Sequence, residues 1–230
     1  MCATSSDRIE EKIDYISTSR SMSVSVSSST DSEPDGSHDT CPRILVCASL
    51  LPALTAAGTV YTRWGSKGCA SAGATVYSGY MGGSFYAHPG SGANYLCLPP
   101  NPVPTNISRP AYVSSVYGTE YEVSNRPEND QDALCAVCFV TDRIANIMVP
   151  GTNKCPSGWS SEYTGLLMSG YDGHGGSTEF ICVDSKLEGR IASNANENGR
   201  LLYVVASICG SLPCPPYQNN NILQCVVCTK

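Results

Sequence analysis

The chain has 230 residues, among them 13 cysteines, 21 glycines and 15 prolines, with only 15% charged residues and a formal net charge of −6. That balance belongs to loop-rich, disulfide-stabilised extracellular proteins and argues against a reduced cytosolic enzyme. Residues 1–58 hold 4 basic and 8 acidic groups, so the remainder is close to neutral and lacks a basic stripe, which argues against nucleic-acid binding.

Residues 1–43 read as a disordered, Ser-rich acidic segment. Ile9, Ile13 and Ile16 have helical spacing, but the stretch is too short to hold as a helix alone in water. The Ser-rich run that follows has no apolar periodicity and cannot bury enough surface to offset its ordering entropy. Residues 44–57 (ILVCASLLPALTAA) form the single long apolar run, too short for a stable membrane span. Arg43 precedes it and small residues end it, the build of a secretory signal h-region with cleavage near Ala57. Its distance from Met1 is unusual for a signal. Cleavage there would remove Cys2, Cys41 and Cys47 and leave an even set of ten cysteines.

Beyond Gly58, short strand-like runs alternate with Gly, Ser, Asn and Pro clusters. Strands are expected over 59–64, 74–78, 117–123, 144–149, 162–168 and 201–208. Leu98 to Pro104 carries four prolines and must be extended. No amphipathic helix of useful length appears, so the expected class is mainly β.

Cysteine spacing repeats. Cys69 and Cys97 lead to Cys135-Ala-Val-Cys138, and Cys155 and Cys182 lead to Cys225-Val-Val-Cys228. Tyr77 and Tyr163 each lie eight residues after the first cysteine of their unit, and Gly79 and Gly165 ten after it. Residues 58–142 and 143–230 therefore read as two copies of one unit. Three uses of the cysteines compete. Zinc knuckles would stand much closer together than these two C-x-x-C pairs and would strand the other four thiols. A redox C-x-x-C normally opens a helix, which cannot follow Cys228 two residues from the last position. The structural reading bonds the first and middle cysteines of each unit to its C-x-x-C, with Cys209 and Cys214 closing a short Gly/Pro turn. Such staples suit modules with thin cores.

Cys135-Ala-Val-Cys138, Cys155-Pro-Ser-Gly-Trp-Ser-Ser161 and Tyr163-Thr-Gly165 resemble the centre of the C-terminal non-collagenous domain of type IV collagen. Gly58-Thr-Val-Tyr-Thr-Arg-Trp-Gly65, Tyr77-Ser-Gly-Tyr80, Tyr95-Leu-Cys-Leu98, Tyr117-Gly-Thr-Glu-Tyr121, Glu179-Phe-Ile-Cys-Val-Asp184 and Cys209-Gly-Ser-Leu-Pro-Cys-Pro-Pro216 are similar to signatures of invertebrate, sponge-type short-chain collagens. The resemblance covers about residues 58–230. It implies tandem disulfide-stapled modules of a β-rich α+β, C-type-lectin-like fold, related by a pseudo-twofold. It also implies the bonds Cys69–Cys138, Cys97–Cys135, Cys155–Cys228, Cys182–Cys225 and Cys209–Cys214. The implied role is that of a secreted, extracellular-matrix structural protein. The implied partners are copies of itself or related short-chain collagen chains in a trimer, with other matrix components or glycans. The chain departs from the pattern in having no Gly-X-Y run.

His88 and His174 sit in similar Gly-rich loops, read as duplicated surface positions rather than a metal pair. Trp64 and Trp159 read as core or subunit-contact aromatics, with sugar stacking the alternative. Glu120 and Glu122 share a strand face and read as solvated edge charges. Asn106-Ile-Ser108 is a glycosylation sequon. No catalytic site, cofactor or metal site is expected, and the function is read as non-enzymatic. The rival readings are a soluble lectin-like or defence module and, from a third class, a thiol oxidoreductase.

Overall fold

The computed structural model describes residues 57–70 and 73–230. The segment 1–43, nearly all of the apolar run 44–57 and the cysteines at 2, 41 and 47 lie outside the described residues. Alternation places the first strand: β1 (Gly58–Trp64) buries Thr59 and Tyr61 while Val60 faces out. The remaining strands are β2 (Ala74–Gly83), β3 (Leu96–Leu98), β4 (Tyr117–Glu122), β5 (Leu134–Thr141), β6 (Asn146–Pro150), β7 (Ser160–Ser169), β8 (Ile181–Asp184), β9 (Arg200–Val204), β10 (Ala206–Ser207), β11 (Asn221–Ile222) and β12 (Gln224–Thr229). The protein is mainly β, and no helix occurs among the described residues. The helical part of the α+β class is therefore not found there. The run expected as one strand over 201–208 is divided between β9 and β10 by Val205.

The two copies pair their strands in the same way. In the first, β5 lies between β1 and β2, and β2 also pairs β3 and β4. In the second, β12 lies between β6 and β7, and β7 also pairs β8 and β9. A bulge falls at the same place in each, leaving Val76 unmatched in β2 and Glu162 unmatched in β7. Each C-x-x-C lies on the central strand of its unit. Cys135 and Cys225 are paired with Gly79 and Gly165, which the repeat aligns. The glycines are required: a Cβ on Gly79 would run into the Leu98 carbonyl, and one on Gly165 into the Val183 carbonyl. The tyrosine two residues before each glycine donates its hydroxyl to the middle cysteine of its unit. Tyr77 reaches the Cys97 carbonyl at 3.1 Å and Tyr163 the Cys182 carbonyl at 2.8 Å.

Five disulfides hold this scaffold: Cys69–Cys138, Cys97–Cys135, Cys155–Cys228, Cys182–Cys225 and Cys209–Cys214. These are the pairs written above. Each of the first four clips an outlying segment to a central strand.

The copies do not form separate cores. β1 meets β8 in parallel at Trp64 and Val183, and β4 pairs β9 in parallel from Thr119–Arg200 to Glu122–Tyr203. One buried cluster joins Met81, Tyr121 and Cys135 of the first copy to Met168, Val183 and Leu202 of the second. Another joins Tyr61, Ala136 and Val140 to Tyr163, Leu167 and Val227. Removing these apolar side chains from water stabilises the fold by roughly 2 kcal/mol each.

Candidate functional site

Two features distinguish one copy from the other. The first is a strand edge. In the second copy β1 pairs in parallel with the edge of β8, Trp64 against Val183. The Tyr61 ring stands 6.3 Å from the Tyr163 ring, and the Tyr61 hydroxyl donates to Glu162 at 3.2 Å. The Tyr163 hydroxyl also donates to the Thr62 carbonyl at 3.2 Å. The bulged Glu162 accepts a further bond from Thr229 at 2.6 Å, so each oxygen of its buried carboxylate has a donor. Burial, and then the Glu162 charge, push the Tyr61 phenol up to about 12. In the first copy β3, the counterpart of β8, pairs only β2 among the described residues, and positions on both sides of that edge are open. Tyr77 is 37% exposed against 6% for Tyr163, and Leu96 is 37% exposed against 5% for Ile181. Val76 and Tyr80 are exposed beside them.

The second feature surrounds the two histidines. His88 packs against Phe85 and Tyr117, with ring centroids 5.0 and 5.9 Å away. His174 packs against Tyr171 and Tyr203 at 5.2 and 5.8 Å. The remaining side of each triangle is 5.2 Å for Phe85–Tyr117 and 5.6 Å for Tyr171–Tyr203. The same turn builds both, since the backbone N–H of each histidine donates to the carbonyl three residues earlier at 3.1 Å. The copies differ at the next position: Tyr86 stands where the second copy has Asp172, and its ring lies 4.6 Å from His174. A cavity of about 510 Å3 opens beside the second triangle. His174 is half-buried there, and its Nδ1 is shut from solvent without a hydrogen-bond partner.

The positions weighed in the sequence fall as follows. The ten cysteines are bonded in pairs, and no group of three His, Cys, Asp or Glu side chains among the described residues is placed to hold a metal. Asn106 and its sequon lie exposed in the strandless segment after β3. Trp64 is half-buried against the core, its ring 6.5 Å from Tyr95, and Trp159 is half-buried in the turn before β7. The reading of Glu120 as a solvated edge charge is corrected. Glu120 is buried, and its carboxylate accepts from the backbone N–H groups of Glu197 and Asn198. Parallel pairing of β4 with β9 encloses it, and that pairing between copies is invisible in local alternation. Desolvation leaves its carboxyl above the ordinary range despite those bonds.

The triangles were missed. Phe85-x-x-His88 and Tyr171-x-x-His174 repeat at one spacing, which is the signal that could have found two of each three rings. Fold and surface together define a disulfide-stapled β protein whose two halves pair their strands alike, with one open strand edge flanked by apolar side chains and one aromatic cavity. No protein-family model matches the chain. No helix among the described residues is long and apolar enough to cross a membrane.

Proposed function

We propose that this protein is a secreted, non-enzymatic extracellular-matrix protein of the short-chain collagen type, whose duplicated, C-type-lectin-like domain associates head to tail with copies of itself, closing as a trimer. One observation carries the reading. The edge of β8 is covered by β1, whereas the matching edge of β3 carries no strand among the described residues. By the repeat, the strand that corresponds to β1 is β6. Within the chain β6 pairs β12 and leaves Met148 exposed. A β6 from a second copy laid along the free edge of β3 would cover Tyr77 on one side of the sheet and Tyr80 and Leu96 on the other, as β1 along β8 covers Tyr163 on one side and Leu166 and Ile181 on the other. Pro150 occupies the place of Trp64 and has no N–H, so the contact would be packing of side chains rather than a continued ladder. An interface between two different patches propagates from copy to copy and forms a ring when the rotation closes.

Sedimentation of the whole secreted chain tests this. The expected result is an oligomer at micromolar concentration, with Leu96→Asp and Met148→Asp each monomeric. An equimolar mixture of the two variants should yield dimers, because one intact interface remains between them. A monomeric parent chain, or variants that assemble like the parent, would overturn the proposal.

A further inference from the structure

We propose that the cavity beside Tyr171, His174 and Tyr203 is a saccharide-binding site. Its volume of about 510 Å3 suits a sugar ring or two, within the range of small-molecule sites. The rings of Tyr171 and Phe180 line it and are exposed, as is Ile208. Asp172 and Ser177 supply an acceptor and a hydroxyl on the same wall, and the half-buried His174 lines it too.

The walls are held in place. Thr178 Oγ1 accepts from the Gly170 N–H at 2.7 Å and shares a 2.7 Å bond with the Ser169 hydroxyl. The buried Arg200 donates to the Ser177 carbonyl at 2.9 Å while its guanidinium lies 5.6 Å from the centre of the Tyr95 ring. Side chains fixed by such support present a ligand with a formed surface rather than one it must order.

The chemistry selects among ligands. No Lys or Arg lines the cavity and Asp172 carries a negative charge, which disfavours anions. The three rings of the triangle pack on one another at 5.2 to 5.8 Å, leaving no gap between them for an ammonium group. A purely apolar side chain would leave Asp172 and Ser177 facing it unsatisfied. A sugar has what the wall asks for: a C–H face to lie on an aromatic ring, and hydroxyls around its edge to donate and accept. The first copy lacks the carboxylate, with Tyr86 in its place, so the site is built once.

Saturation-transfer NMR on the whole chain tests the proposal with galactose, mannose and N-acetylglucosamine, and with choline and N-acetylphenylalanine amide as rival probes. At least one sugar should receive saturation on its ring protons. Its affinity should fall about tenfold in Phe180→Ala or Tyr171→Ala, and by a similar factor in Asp172→Asn. Phe180 and Asp172 are exposed, so those two variants keep the fold. The monomeric Leu96→Asp variant should bind the sugar like the parent, which separates this site from the assembly reading. No transfer to any of the sugars, transfer unchanged in all three cavity variants, or binding only of choline or the phenylalanine amide would overturn it.

Discussion

Arg63 on β1 and Asp184 on β8 lie 121 residues apart and join the two copies through a pair of short hydrogen bonds. Arg63 Nε and a terminal guanidinium nitrogen reach one carboxylate oxygen at 2.8 and 2.6 Å. The other oxygen accepts from the Lys186 N–H at 2.8 Å, and the Arg63 fork also holds the Gly68 carbonyl at 3.0 Å. This clasp stands where β1 crosses onto the second copy.

Removing one partner of a largely buried pair leaves the other charge uncompensated. Asp184→Asn should lower unfolding stability by about 3 kcal/mol. Arg63→Met combined with Asp184→Leu should cost clearly less than the sum of the single changes. Urea titration of the four chains with disulfides intact gives the coupling directly, and additive losses would contradict the clasp.

Gly165→Ala and Gly79→Ala should each weaken the fold by at least about 3 kcal/mol, since the carbonyl that a Cβ would meet belongs to a neighbouring backbone and cannot rotate away. The exposed Gly90→Ala, which meets nothing, should be close to neutral. Yield and thermal midpoint of the purified variants check the contrast.

The Tyr61 phenol is held neutral in the folded protein up to about 12, against an ordinary value of 10.0. The unfolded chain ionises first, so this residue's contribution is complete below pH 10.0 and is lost as pH climbs toward about 12. Tyr61→Phe should flatten the alkaline decline in stability within that window. Urea midpoints at a series of alkaline pH values measure it, and an unchanged slope would remove Tyr61 as the cause.

Cys182–Cys225 closes a loop of 43 residues and Cys209–Cys214 one of 5. In the chain-entropy account the paired Cys182→Ser and Cys225→Ser exchange costs about 4 kcal/mol and the paired Cys209→Ser and Cys214→Ser exchange about 2 kcal/mol. Differential scanning calorimetry should rank the two in that order.

Much of the scaffold was legible because it is written in spacing. Cysteine, tyrosine and glycine recur at one interval in both copies, and each performs the same act twice: a clip to the central strand, a hydroxyl to a cysteine carbonyl, a gap for a neighbouring backbone. Strands as short as β3 and β8 escaped notice, because three or four residues are too few to establish an alternation. The candidate sites were harder. His88 and His174 could be picked out as a pair, but Tyr117 and Tyr203 come from distant strands that only pairing brings beside them.

The sequence by itself determined that one β unit was written twice and which residues staple it, since disulfides and close-approach glycines need particular residue types at fixed offsets. Only the tertiary structure decided that the copies are unequal. β1 can lie along one of two matching edges, and its choice of β8 buries Tyr163 on one side of the sheet and Ile181 on the other while leaving Tyr77 and Leu96 in water. That choice is made by contacts between residues more than a hundred positions apart, such as Tyr61 with Glu162 and Arg63 with Asp184. Local pattern repeats in both copies and is blind to which of them a single strand will cover.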